Sequence, residues 1–292
     1  MAYARTDDGI KLYYEEAGDG TPIIWVHEFA GDWRSWESQM RFFSRRHRCI
    51  TFSARGYLPS DVPHKQDMYS QERAARDIAC VLDAAKIDKA HIVGLSMGGF
   101  ATLHFGLMFP ERALSLTVAG SGYGAEPAQA SSFVAASLKA AEQFDTLGSE
   151  KFAPIYASGA SRVQLQNKDP RGWDEFARQL GEHDAVGSAL TMRGVQARRP
   201  SLYSLEEQLR RIQIPVFIVA GDEDDHCLQP AIYLKQTIPT SGLLIMPKTG
   251  HTLNLEEPDT FNRYVWDFLS MVESGKWGMR DPRATSEILK VD

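Results

Sequence analysis

Three cysteines in 292 residues, Cys49, Cys80 and Cys227, are too few and too widely spaced for a disulfide framework or a zinc site. Cys49 and Cys80 sit in apolar and helical patterns and are expected as buried thiols, with Cys227 in a structural role. Basic charge is also scarce. The formal net charge is -6, which argues against a nucleic-acid surface. The short pairs Arg45-Arg46, Arg198-Arg199 and Arg210-Arg211 read as solvated helix faces. No apolar run approaches the roughly 18 residues of a membrane span. The first residues lack a basic stretch followed by an apolar one, so no secretory leader is expected and the cytoplasm is the expected location. Repeats and low-complexity runs are absent. What remains is an ordinary folded composition, 43% hydrophobic and 24% charged, long enough for one or two domains.

The apolar pattern alternates between two periods. Residues 2–26 read as strands with a hairpin, turning at Asp7-Asp8-Gly9 and Gly18-Asp19-Gly20. Pro22–Val26 is a short continuous apolar run, as suits a strand buried on both faces. Trp33, Trp36, Met40 and Phe43 fall at helical spacing. Cys49–Phe52 is a strand and residues 54–69 a loop. Ser70 caps a helix carrying Ala74, Ile78, Val81, Leu82 and Ala85 on one face. Strand Ala90–Val93, helix Met97–Phe109 and strand Leu114–Ala119 follow. Residues 125–205 show helical patterns and no buried strand. Strand Pro215–Ala220, helix Leu228–Thr237, strand Gly242–Met246 and a helix from Pro258 to about Val272 then complete the alternation. The fold expected is α/β, a mostly parallel central sheet flanked by helices, with an inserted helical cap. The core comprises 1–124 and 206–292 and the cap 125–205, an insertion placed as a lid would be. The polar stretch Glu273–Asp292 is expected to be an extended or partly mobile tail.

The chemistry-bearing signal is Gly94-Leu95-Ser96-Met97-Gly98, between a strand and a helix. This is a Gly-x-Ser-x-Gly elbow in the context that confirms it. The turn strains its serine, so the residues two before and two after must lack a Cβ. The hydroxyl then projects at a helix N-terminus, where free N–H groups favour developing negative charge. A serine needs a base. His251, in the loop after the Gly242–Met246 strand, is the best placed of the eight histidines, with His226 a competitor. The base needs a carboxylate to fix its tautomer. Gly221-Asp222-Glu223-Asp224-Asp225 crowds four acids at the carboxyl end of a strand, where such sheets place their sites. The residues alone leave Asp222, Asp224 and Asp225 open.

From about Gly9 to Phe268 the chain resembles the α/β-hydrolase superfamily, in its lid-bearing esterase, lactonase and carbon–carbon hydrolase branch. The resemblance selects Asp224 through the Gly-x-x-Asp pattern of Gly221–Asp224. It also implies an oxyanion hole from the backbone N–H groups of Met97 and, after the third strand, Phe29. Arg55-Gly56-Tyr57-Leu58-Pro59-Ser60-Asp61 looks like the family's Arg-Gly-x-Gly-x-Ser-Asp stretch and is read as a structural turn. One departure stands out. The family's His-Gly is here His27-Glu28, which brings a carboxylate near the oxyanion site. Glu28 is expected to point away and pair with a basic residue such as Arg55, with His27 bracing the loop.

A serine at the elbow points to acyl chemistry. The expected activity is hydrolysis of a small carboxylic ester or lactone through an acyl-enzyme on Ser96. Carbon–carbon cleavage of a vinylogous diketone, or acyl transfer, are the alternatives with the same triad, and a non-catalytic binding protein is a further one. Glu28, Phe29, Trp33, Tyr57, Tyr123, Phe133, Trp173, Met192 and Tyr203 are candidates for the substrate pocket. The partner expected is an apolar or aromatic small molecule, with no nucleic acid, membrane, metal or cofactor. The oligomeric state is left open, a homodimer included.

Overall fold

The computed structural model describes residues 2–284, so the tail beyond 284 lies outside the described residues. Eight strands form one sheet in the order β1-β2-β4-β3-β5-β6-β7-β8. They are β1 (Ala2–Arg5), β2 (Lys11–Ala17), β3 (Thr21–Val26), β4 (His47–Phe52), β5 (Ala90–Leu95), β6 (Ala113–Ala119), β7 (Val216–Gly221) and β8 (Ser241–Met246). β2 pairs antiparallel with β1 and β4, and every other pairing is parallel.

The period-2 alternation of a strand divides its side chains between two cores. Ile24 and Val26 of β3 join one apolar cluster, together with Ile78 and Leu82 of the helix that Ser70 precedes. Ile23 and Trp25 join the opposite one, with Trp36, Phe261 and Phe268. This is why the central strands read as unbroken apolar runs. Flanking the sheet are α1 (Glu37–Phe43), α2 (Gln71–Ala84) and α3 (Met97–Met108). The helical spacing from Trp33 becomes a 3₁₀ turn, Trp33–Trp36, before α1 begins, because Asp32 caps the turn through the Arg34 N–H. Ser70 accepts from Arg73 N–H at 3.0 Å and so caps α2.

Between β6 and β7 come α4 (Pro127–Ala157), α5 (Val163–Lys168), α6 (Pro170–Gly181) and α7 (Ala185–Thr191), the last running into a π-helical turn, Met192–Gln196. α4 breaks at Gly148, whose φ is 76°. These helices share an apolar cluster with the core: Phe144, Phe152 and Leu180 pack with Phe29, Tyr57 and Met97. The core members follow β3, β4 and β5, so the helical segment sits over the carboxyl ends of those strands. The approach is close. A Cβ on Gly187 of α7 would meet the Gly56 carbonyl oxygen at 2.1 Å.

The short α8 (Glu206–Leu209) leads into β7, after which come α9 (Asp225–Thr237), α10 (Leu253–Glu256) and α11 (Pro258–Glu273). The tail is not wholly extended. Trp277 donates to the Thr240 carbonyl at 2.7 Å, packs edge-on against Phe268 and lies over Gly242 of β8.

Candidate active site

Ser96 stands between β5 and α3 with φ 54° and ψ -115°, a conformation that costs on the order of 1–3 kcal/mol outside glycine. The chain is pinned there by the Ser96 N–H, which donates to Ala119 O at 2.8 Å. The flanking glycines are sterically required. A Cβ on Gly94 would meet Gly98 O at 2.2 Å, and one on Gly98 would meet Val26 O at 2.1 Å. Met97 opens α3, so its N–H has no acceptor within the helix.

Burial discriminates among the acids after β7. Asp224 is 2% exposed, whereas Asp222, Glu223 and Asp225 are exposed. Asp224 Oδ2 accepts from His251 Nδ1 at 2.7 Å. Burial alone would raise the Asp224 pKa, but its contact with His251 outweighs this and holds the carboxyl below its usual range. With Nδ1–H committed to Asp224, Nε2 of His251 carries the lone pair. The exposed acids hold the histidine loop from outside: Asp222 accepts from Thr249 N–H at 3.2 Å, and Glu223 pairs with Lys248 at 3.1 Å. His226 is exposed and bonds Gln129, which removes it as a competitor on geometric grounds.

Glu256 is a positioning residue that sequence reasoning missed. Its buried carboxylate accepts from Gly250 N–H at 2.6 Å, Thr252 N–H at 3.0 Å and Thr252 Oγ1 at 2.9 Å, gripping the loop on both sides of His251. The signal was Thr252 heading a turn that Glu256 closes, off by one residue from a capping box. Cys227, one turn into α9, places Sγ 4.0 Å from His251 Nδ1. Ligand atoms of Asp224, Cys227 and His251 lie within 4.8 Å of one another, but a metal there would have to break the Asp224–His251 bond.

Ser96 and His251 line one cavity of about 370 Å³, with Phe29, Tyr123, Phe133 and Met192 among its walls. The other pocket candidates lie elsewhere. Trp33 packs edge-on against Tyr13 at 5.5 Å. Trp173 donates its indole N–H to Ala157 O at 2.8 Å inside the helical segment. Tyr203 stacks on Tyr233 at 4.0 Å. Tyr57 lies behind Phe29, edge-on to it and to His27, and lines a separate small void. Each was placed near the site by apolar spacing, which gives a buried face and not the partner it meets.

Glu28 is not among the residues lining Ser96's cavity, and its partner is Arg162 of the helical segment, not Arg55. Arg55 is already taken by Asp77 at 2.7 Å and Asp8 at 2.8 Å. Both Glu28 and Arg162 are buried. His27 donates from Nδ1 to Glu28 O at 2.6 Å and accepts from Ala54 N–H at Nε2, 3.0 Å. It thereby ties the loop after β3 to the loop after β4, and burial pushes its pKa down to about 4.

A strained serine between a parallel strand and a helix, with a buried Asp–His pair from later loops, is the site arrangement of the α/β-hydrolase fold, and residues 21–258 match the family model of that description. The chain belongs to this family. It is 27% identical over 277 residues to a 2-hydroxy-6-oxo-2,4-heptadienoate hydrolase of Pseudomonas putida, covering 90% of this chain and 94% of that one. It is 25% identical over 264 residues to 3-oxoadipate enol-lactonase 1 of Acinetobacter baylyi, covering 86% and 89%. A thermophilic esterase from Thermogutta terrifontis superposes with a TM-score of 0.82 at 22% identity, over 93% of this chain and 98% of that one. Among the described residues no helix is long and apolar enough to cross a membrane.

Proposed function

We propose that this chain hydrolyses a small carboxylic ester or lactone, with Ser96 as nucleophile, His251 as general base and Asp224 as its orienting acid. The observation that carries the reading is the joint geometry at one cavity: a serine held at positive φ on a helix N-terminus, and a histidine whose Nδ1 is fixed by a buried carboxylate. His251 Nε2 takes the Ser96 proton as Oγ attacks the carbonyl carbon. The oxyanion is received by the backbone N–H groups of Met97 and Phe29, donors that need no rearrangement as charge develops. His251 then protonates the departing alcohol, and water, deprotonated by the same nitrogen, releases the acid from Ser96. Because Arg162 pairs with the Glu28 carboxylate, the charge brought by the residue that replaces the usual glycine is neutralised and does not oppose the oxyanion. The helices between β6 and β7 serve as the cap, residues 125–205, over a core of 1–124 and 206–292.

The test is hydrolysis of p-nitrophenyl esters from acetyl to decanoyl, wild type beside Ser96→Ala. Turnover is expected, with a loss of at least about 10³-fold in the variant. A folded wild type inert toward every ester sinks the reading. The name of the Pseudomonas putida relative supports a second one, the same residues cleaving a carbon–carbon bond in a vinylogous diketone. Turnover of such diketones with none of esters would replace the first reading by the second.

A further inference from the structure

Two guanidinium groups line the Ser96 cavity; Arg162 has a counter-charge in Glu28 but keeps unpartnered N–H groups, and Arg199 has no carboxylate beside it. Arg162, in the turn between α4 and α5, is 1% exposed. One edge of it is committed, Nη2 donating to Glu28, but Nε and Nη1 have no hydrogen-bond partner. Its plane lies over the Phe176 ring, 5.0 Å from the centroid. Arg199 follows the π-helical turn at the other end of the cap. It donates to Gln196 Oε1 and, at 2.5 Å, to the Tyr123 carbonyl, both uncharged oxygens. Phe100 and Phe133 cover its faces, at 3.8 and 4.9 Å. Burial pushes Arg199 down to about 9, and no carboxylate counters the effect.

A cation taken out of water without a counter-charge is costly. The nearby carboxylates are already spoken for, Glu28 by Arg162 and Asp224 by His251. A cation in this state is stabilised when a bound anion supplies the missing charge. Arginine's fork suits a planar two-oxygen anion better than a spherical one. The apolar walls, Phe29, Phe133 and Met192, suit a carbon chain between that anion and the reacting carbonyl.

We infer that Arg162 and Arg199 form an anion subsite within the Ser96 cavity, and that the substrate carries a carboxylate in addition to the ester or lactone carbonyl. This rests on the cavity being the substrate site, and it refines the apolar ligand expected from composition: the walls are apolar and one end is cationic. The free edge of Arg162 and the Arg199 guanidinium take the carboxylate, while Glu28 holds Arg162 in place from behind.

The experiment compares mono-p-nitrophenyl glutarate with p-nitrophenyl 5-methylhexanoate, its neutral isostere. The charged ester is expected to have the higher kcat/KM by about 10–100-fold, the worth of a charge-assisted hydrogen bond or two. Arg199→Gln is expected to cut that ratio at least tenfold, and Arg199→Lys to retain part of it. Equal or reversed preference in the wild type overturns the subsite while leaving ester hydrolysis standing, and this comparison needs no variant to fold. A second arm is independent of turnover. Monomethyl glutarate is titrated calorimetrically into Ser96→Ala, with inorganic phosphate as the competing anion. Binding weakened at least tenfold by adding Arg199→Gln supports the subsite even if no ester is turned over, in which case hydrolysis is what fails. No binding, or phosphate binding as tightly as the carboxylate, overturns the inference.

Discussion

Asp224 and Glu28 are each held by a partner distant in sequence, His251 and Arg162, and the cost of removing one depends on how deeply the pair is buried. Asp224 is buried and accepts from His251 at Oδ2. Asp224→Asn keeps the shape but presents an amide to Nδ1, favouring the wrong tautomer. A loss of about 10⁴-fold in kcat is expected, as where an orienting aspartate is replaced in other serine hydrolases, with the thermal midpoint little changed. A loss under tenfold would show that Asp224 does not orient the base. Glu28→Gln has the opposite profile. It leaves the Arg162 cation buried and unpaired, so it should lower the free energy of unfolding by about 3 kcal/mol. Urea titration measures this. Combining it with Arg162→Met should recover part of the loss, because the double variant leaves no charge buried without a partner.

At the scale of elements, the cap is docked through small residues rather than through an ion-pair seam alone. Gly56 has φ +86°, and Gly187 of α7 rests on its carbonyl. Neither a left-handed side chain at 56 nor a Cβ at 187 fits without lifting α7. Gly187→Ala is therefore expected to destabilise the protein by about 1–3 kcal/mol through overpacking and to loosen the cap. The cap sites Arg162 and Arg199 would then move relative to Ser96. Increased proteolysis within residues 125–205, with the β-sheet core resistant, would register this. An unchanged cleavage pattern would mean that the loop after β4 yields instead. Asp32 adds a second tether, bonded to Arg34 and 3.6 Å from His183 of the segment between α6 and α7.

Across the whole molecule, buried histidines contribute to the loss of stability in acid. Burial pushes His27 and His104 down to about 4, while in the unfolded chain both titrate near 6.5. Between those values the unfolded chain binds more protons than the folded one, so stability rises with pH across that window. The contribution is complete above about pH 6.5 and is lost as the pH falls toward about 4, by a few kcal/mol for the two together. Urea midpoints from pH 8 down to pH 4 should show this decline, and His104→Gln should remove part of it. A flat profile over that window would mean that the two side chains are not buried neutral.

The parts of this protein that its sequence determined are those governed by neighbours along the chain. The elbow is one in part: Gly94 is dictated by the backbone four residues on, at Gly98, although Gly98 itself must clear Val26 of β3. The buried strands are another, since a run such as Ile23–Val26 must meet apolar residues on both faces whatever they are. The acid loop shows the limit. Four carboxyl groups in a row are alike in sequence, and only folding buries Asp224 and leaves Asp222, Glu223 and Asp225 in water. The partner of Glu28 shows it again. Arg55 was nearer in sequence and of the right charge, but Asp8 and Asp77 claim it, and the cation that reaches Glu28 arrives from 134 residues away. Trp33, Trp173 and Tyr203 had the right size for the pocket but lie half-buried elsewhere, against Tyr13, Ala157 and Tyr233. Pattern along a chain fixes which face of an element is buried. What that face meets is decided by how distant elements pack, and the pairing of Glu28 with Arg162, the grip of Glu256 and the two arginines in the cavity exist only at that level.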